Sequence, residues 1–339
     1  MSEVIKVERE GPIAVLTLTN PPLNLVTLEL TKRLGEALGE LAANSDVRVL
    51  VVTGSGHRAF CAGSDITEFP DMSAPGAVVE RKLRRENEVY GQLDDFPRPT
   101  IAALNGLAFG GGLELAVCCD LLVAEAGTRL ALPEVKLGVF PGSGGTVRVT
   151  RRIGEGRAKE MMLLGEPIDA ETALAWGLVN RVVPQGRALA EALALAGRLA
   201  ELPGRALSAC KRAVDQAFDL PEDEAIAASL ALSDEVFQTE DCREGVRLAL
   251  DHRLAHTLVD EQQLLLRRVD VLADVAAGGD NLDAGGEPAD RRIAPVRDAD
   301  LDVTAGRHRL PVALALLGTH DMRPRHRGLG HGRSPLSGA

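Results

Sequence analysis

A mixed α/β fold is what three features of this 339-residue sequence predict. Short apolar runs rich in Val, Ile and Leu alternate with stretches of helical periodicity through the first half. Apolar residues make up 45% of the chain, enough for a sizeable core. From about Gly154 onward the pattern becomes mostly helical, and helices that follow a finished sheet domain often make subunit contacts.

Taken in order, VIKVERE and PIAVLTLT read as a strand pair joined at Gly11 and Pro12. Residues 28–41 place Leu30, Leu34, Leu38 and Leu41 at helical spacing, and VRVLVVTG follows as a buried strand. A charged helix is expected over about 77–93, then two more strands in TIAALNG and DLLVAEAG. Amphipathic helices are expected near 155–164, 187–202, 203–218 and 221–237. This divides the chain into a core over 1–195, a helical region over 196–250 and a tail over 251–339.

The tail differs in kind. Beyond Leu250 lie six of the seven histidines and no Lys, Cys, Phe, Tyr or Trp, with glycine pairs at 278 and 285, so poor order is expected. His252 and His256 are four apart, yet no third ligand is in sight and no metal site is read there. The Arg/Ala/Gly/Asp/His-rich composition is what translation past a lost terminus of GC-rich DNA would give. The same reading frame in independent isolates would remove that idea.

The net charge is −11, and the segment from Arg253 onward carries 12 basic and 12 acidic residues, so the surplus lies in the first 252. An acidic body argues against nucleic acid as the main partner, because phosphate binding draws on clustered Lys and Arg. No run approaches the roughly 18 apolar residues of a membrane span, and MSEVIKVERE lacks the regions of a signal peptide. A cytoplasmic protein with no membrane partner is expected. The five cysteines, Cys61, Cys118, Cys119, Cys210 and Cys242, show neither metal spacing nor a disulfide framework and read as free, buried thiols.

Two glycine motifs fail on context. VLVVTGSGHRA puts Gly54, Gly56 and Ala59 in the spacing of a dinucleotide turn, but Phe60-Cys61-Ala62-Gly63 follows where a helix should start. PGSGGT at 141–146 lacks Gly-Lys-Ser/Thr, and Pro141 spoils G-x-S-x-G, so it reads as a tight turn before a helix.

Three stretches remain: FCAGSDI (60–66), NGLAFGGGLELAVCCD (105–120) and LALPEVKLGVFPGSGGT (130–146). In this order and spacing they closely resemble the crotonase superfamily, the enoyl-CoA hydratases and isomerases. The likeness runs over roughly residues 3–247, with NPPLNLVTLEL, GLVNRVV and TEDCREGV included. It implies a crotonase-type β/β/α spiral (ClpP/crotonase-like) core, then a helical trimerisation region, and a homotrimer or dimer of trimers. The implied activity is reversible syn-hydration of a trans-2-enoyl-CoA to a 3-hydroxyacyl-CoA, with coenzyme A as part of the substrate and no other cofactor. The same fold also hosts enoyl-CoA isomerases and acyl-CoA decarboxylases, and a non-catalytic acyl-CoA-binding subunit is the alternative of another class.

The chemistry explains the residue types. A thioester whose α-carbon gains or loses a proton passes through an enolate, so a catalyst needs donors aimed at the thioester oxygen. Backbone amides at glycine and at a helix start are suited to this. By resemblance, Ser64 and Gly111 supply the two amides, the serine standing where alanine is more usual while leaving the N–H in place. Adding water needs a base for the water and an acid for the α-carbon, and two glutamates on one face can share both steps. Glu114 and Glu134 match those positions, Glu134 for α-proton delivery and Glu114 for orienting and deprotonating water. Gly142 matches an amide that steadies the second glutamate.

Coenzyme A contact is matched to Leu25 and Val26, to Arg58 as a phosphate-side cation, and to the stretch containing Ala62, Ser64, Asp65 and Ile66. Asp65 is also expected to cap the helix that follows, with Glu68 completing a capping box. Residues 71–93 are expected to line the acyl pocket without a readable code. After Arg247 the likeness ends, and no Lys or Phe follows to cover a coenzyme.

Overall fold

The computed structural model describes residues 4–251. Contacts divide the chain into two units, Met1–Arg243 and Glu244–Ala339. Of the second unit only residues 244–251 are described, and they are helical. The expectations about the tail and the His252/His256 pair lie outside the described residues.

The first unit winds as a spiral in which each turn gives one strand to a large sheet, one to a small sheet, and a helix. β1 (Ile5–Glu10) and β2 (Ile13–Leu18) form the expected antiparallel pair, and α1 (Leu28–Ala43) leads to β3 (Val49–Gly54) and β4 (Ala59–Cys61). Then come α2 (Arg84–Asp94), β5 (Thr100–Leu104), β6 (Leu107–Phe109), α3 (Gly111–Ala116), β7 (Leu121–Glu125) and β8 (Arg129–Ala131). The chain continues through α4 (Gly145–Ile153), α5 (Glu155–Leu164), β9 (Ile168–Asp169), α6 (Ala170–Trp176), β10 (Arg181–Val183), α7 (Ala188–Ala200), α8 (Gly204–Gln216) and α9 (Glu222–Phe237). The large sheet has the order β1-β2-β3-β5-β7-β10, parallel from β2 onward, and the small sheet is β4-β6-β8-β9.

The strands of the large sheet read as continuous apolar runs because both faces are covered. Leu50, Val52, Ala102, Leu104, Leu122 and Ala124 face one core, against α1, α2 and the small sheet. Their alternate neighbours Val49, Val51, Ile101, Ala103 and Val123 face a second core closed by Ala188, Ala192, Leu195 and Ala196 of α7. Each fully buried Leu contributes roughly 1.5–3 kcal/mol relative to exposure. Helix α7 therefore belongs to the sheet and runs across the 195/196 boundary expected from the sequence.

Three local expectations need correction. Asp65 caps only a single 3₁₀ turn, Ile66–Glu68, accepting from the Thr67 amide. No capping box forms, because the Asp65 amide bonds Val26 and Glu68 Oε1 accepts instead from the Leu28 amide. Cys61, Cys118 and Cys119 are free and buried as expected, but Cys210 is exposed and Cys242 half-buried, since both sit on helices outside the two cores.

Candidate active site

The first amide of the site is aimed by backbone pairing. Residues 62–65 run parallel to the 23–26 loop: Ala62 N–H donates to the Leu23 carbonyl, Val26 N–H to Gly63, and Asp65 N–H to Val26. Extended backbone alternates its donors, so with Gly63 and Asp65 committed to Val26, the Ser64 N–H points to the opposite side. That side is occupied by Gly111, where an added β-carbon would stand 3.8 Å from Ser64 N and 3.2 Å from Ser64 Oγ.

The glycine triplet serves three ends. Gly110, at φ 50° and ψ −129°, takes a conformation hostile to side chains and turns the chain from β6 into α3. Gly111 presents its amide beside Ser64. Gly112 lies so close to β4 that a β-carbon would meet the Cys61 carbonyl oxygen at 2.2 Å. Tyr90, fully buried on α2, donates its hydroxyl to the Gly111 carbonyl at 3.0 Å and pins the start of the helix. α3 is only six residues long, so the field at Gly111 comes from local amides.

Glu114 projects from α3 into a buried setting, 3% exposed. Its Oε1 accepts two amides, from Ser143 and Gly145, each at 2.9 Å. The PGSGGT turn is thus a carboxylate clamp. Gly142 has a different part from the one expected: its carbonyl accepts from Asn87 Nδ2 at 2.9 Å, and the amides of this turn reach Glu114 instead of Glu134. Burial pushes the Glu114 carboxyl up to about 7; the Glu134 and Glu86 charges add to the rise, while the two amides oppose it.

Glu134 begins a 3₁₀ turn, Glu134–Leu137, closed by Gly138 in the left-handed region. Its Oε1 lies 3.0 Å from where a Gly110 β-carbon would be, so a side chain at 110 would press on the carboxylate. Its Oε2 is buried without a hydrogen-bond partner among the described residues. Such an oxygen is uncommon, because an unmet buried acceptor costs about 1–3 kcal/mol. Burial raises the Glu134 carboxyl to about 6. The two carboxyls therefore titrate as a coupled pair, and a charge on Glu134 helps to hold the proton on Glu114.

Both carboxyls and both amides line one cavity of about 700 Å³. Ala62, Ser64, Ile66, Gly111, Glu114, Glu134 and Gly142 all border it. Leu25, Arg58 and Asp65 do not, although Leu25 and Asp65 lie on the two segments that frame Ser64. Arg58 is exposed, as a phosphate-side cation would be. The far wall is apolar, with Phe69, Met72, Val78, Leu83 and Phe140, so part of the 71–93 stretch does line the cavity. Among the described residues no group of three His, Cys, Asp or Glu side chains could hold a metal. Among them, too, no helix is long and apolar enough to cross a membrane.

Four residues of this site were not singled out from sequence: Ser143, Gly145, Glu86 and Lys82. Ser143 and Gly145 act through main-chain amides, which leave no mark on residue type beyond the glycines themselves. Glu86 and Lys82 are 1% and 2% exposed, in a stretch whose charge gave no hint of burial.

Known proteins resemble this chain in both sequence and fold. The family model described as Enoyl-CoA hydratase/isomerase matches residues 8–256. A short-chain-enoyl-CoA hydratase of Clostridium acetobutylicum is 34% identical over 248 residues, covering 73% of this chain and 94% of that protein. A crotonyl-CoA hydratase of Syntrophomonas wolfei is 34% identical, covering 75% and 97%. A solved enoyl-CoA hydratase of Bacillus anthracis superposes with a TM-score of 0.70 at 31% identity, covering 74% of this chain and 97% of that one. A spiral of this topology, matched in sequence over nearly the whole length of such relatives, makes this chain a member of the enoyl-CoA hydratase/isomerase family of the crotonase superfamily.

Proposed function

We propose that the cavity hydrates a trans-2-enoyl-CoA reversibly, adding water syn across the α,β bond to give the 3-hydroxyacyl-CoA. The observation that carries this reading is the meeting, in one cavity, of two carboxyls shifted toward neutrality with the partnerless side of Ser64 and the amide of Gly111. The thioester oxygen would accept from the two N–H groups, which stabilise the negative charge it gains as the β-carbon is attacked. Glu114 would take a proton from water as its oxygen bonds to the β-carbon, and Glu134 would give its proton to the α-carbon.

These roles ask for the shared proton to rest on Glu134 once substrate is bound. A thioester closing over half-buried Glu134 strips its remaining water and raises it further, while Glu114, already 3% exposed, has little hydration left to lose. Substrate binding would thus move the shared proton onto Glu134. Coenzyme A is part of the substrate in this scheme, and no other cofactor has a part in it. We extend the proposal to a cytoplasmic homotrimer or dimer of trimers built on residues 196–250.

Isomerisation of a 3-enoyl-CoA, or decarboxylation, would use the same enolate, but such isomerisation needs only one acid and here both are built in. Both acids also argue against a non-catalytic acyl-CoA-binding subunit. Crotonyl-CoA hydration followed in the wild type, Glu114→Gln and Glu134→Gln is the test. Each variant is expected to lose about 10²- to 10⁴-fold in rate while retaining acyl-CoA binding. Wild-type rates in both would remove the site.

A further inference from the structure

One buried ion pair borders the cavity and has no part in the proposed chemistry. Lys82 Nζ lies 2.8 Å from Glu86 Oε1 and 3.7 Å from Glu68 Oε2, and the Lys82 and Glu86 side chains are 2% and 1% exposed. A buried pair adds little stability once desolvation is counted, so its presence asks for another role. Lys82 sits on a π-turn, Val79–Leu83, just ahead of α2, and such turns recur at functional sites.

The pair continues into the site. The Ser143 hydroxyl donates to Glu86 Oε2 at 2.6 Å, a short charge-assisted bond, and the amide of the same serine donates to Glu114 Oε1. The neighbouring Asn87 holds the Gly142 carbonyl at 2.9 Å, so α2 grips the 141–145 turn at two consecutive residues. We infer that Glu86 is a positioning residue for Glu114: through the Ser143 hydroxyl it fixes the turn whose amides clamp Glu114 Oε1, and Lys82 is the counter-charge that lets a carboxylate sit there.

An oxygen that accepts two N–H donors has no room for a proton, so the Glu114 proton resides on Oε2, the oxygen left for the cavity. The groups facing Glu114 are Cys118 in the turn after α3, Glu86 and Tyr90 from α2, and Glu134 from its turn. On α4, Arg148 is turned to Asp94 at 2.9 Å. The Glu86 charge acts in the same direction as burial and keeps Glu114 protonated toward neutrality.

The inference rests on the hydratase reading only for its rate measurement. The other measurement follows the ¹³C resonance of the Glu114 carboxyl against pH, assigned by its loss in Glu114→Gln. Lys82→Met/Glu86→Gln keeps the shape and an acceptor for Ser143 but removes both charges. Its Glu114 midpoint is expected to fall below about 7, because the Glu86 charge that helps to hold the proton is gone. Ser143→Ala keeps the amides but cuts the link, and about a tenfold lower kcat with KM within about twofold is expected. Folded variants with the wild-type midpoint and, where turnover occurs, the wild-type kcat overturn the inference. A wild type that turns over no enoyl-CoA defeats the hydratase reading, and the midpoint alone then decides for or against Glu86.

Discussion

Gly145 stands against Glu114 so closely that a β-carbon on it would lie 2.9 Å from both Cγ and Oε1 of the glutamate, while its own amide donates to that Oε1 at 2.9 Å. The residue that clamps the carboxylate is therefore also the one that leaves room for it. Gly145→Ala starts α4 at an ordinary helical position, so the fold should survive and the glutamate should be the part that moves. A displacement of even 1 Å in a reacting group can cost about 100-fold in rate. Crotonyl-CoA hydration is expected to drop by that order while the thermal midpoint shifts little, and an unchanged rate would show that the clamp does not matter.

The two acids also set a pH profile. With Glu134 at about 6 and Glu114 at about 7, the pair holds two protons below the first value, one between them and none above the second. Hydration needs one acid and one base, so kcat/KM should peak between the two values and fall toward tenfold per unit on either side. Glu134→Gln removes the negative charge that helps hold the Glu114 proton, so the Glu114 midpoint in that variant should lie below about 7. A flat profile from pH 5 to 9 would contradict this.

The same shift bears on stability. The Glu114 carboxyl is raised in the folded protein from 4.5 to about 7, so the native state binds the proton more tightly than the unfolded chain does. Its contribution is fully present below about 4.5 and is lost as pH rises through about 7, up to about 3 kcal/mol in all. Glu114→Gln cannot ionise and keeps an oxygen for the two amides. It is expected to melt several degrees above the wild type at pH 8, with the gap closing toward pH 5. Equal melting points at pH 8 would mean that ionised Glu114 is not costly.

How far the sequence reaches can be judged from these same residues. β3 and β5 were readable because burial on both faces writes an unbroken apolar run, and α1 because Leu30, Leu34, Leu38 and Leu41 recur with the helical turn. Gly111, Glu114 and Glu134 were picked out by their match to the family's motifs; the glycine cluster before Glu114 in an apolar run is a physical sign of its own, whereas Glu134 in LPEVK carries none. The Ser143 and Gly145 clamp was not readable, since it is made by amides that every residue possesses. Nor was the burial of Lys82 and Glu86, because mutual neutralisation depends on a π-turn and on Ser143, 57 residues beyond Glu86, neither of which the local pattern announces.

Thiol reactivity gives a test of the core. Burial pushes Cys61 and Cys119 up to about 12 and Cys118 well above its ordinary value, so none forms thiolate near neutrality. Cys210 is exposed and Cys242 half-buried. At pH 8 a thiol reagent should modify Cys210 first and at most two cysteines in the native protein, reaching all five only after unfolding. Early labelling of Cys61, three residues from Ser64, would mean that the small sheet opens.

Gly112 offers the most direct test of how the site is held together. A β-carbon there would meet the Cys61 carbonyl oxygen at 2.2 Å and the Cys61 carbonyl carbon at 2.7 Å, atoms of a strand that cannot rotate away. Gly112→Ala must separate α3 from β4; α3 carries the Gly111 amide, and the segment running on from β4 carries the Ser64 amide. Overpacking of this kind costs about 1–3 kcal/mol, and it should also widen the gap between the two donors, so stability and hydration fall together. Gly39→Ala, in the interior of α1 with nothing within 4 Å of the added carbon, is the control and should be neutral or raise stability by about 0.5–1 kcal/mol. A Gly112→Ala protein as stable and active as that control would show that close contact between α3 and β4 is not what aligns the two amides.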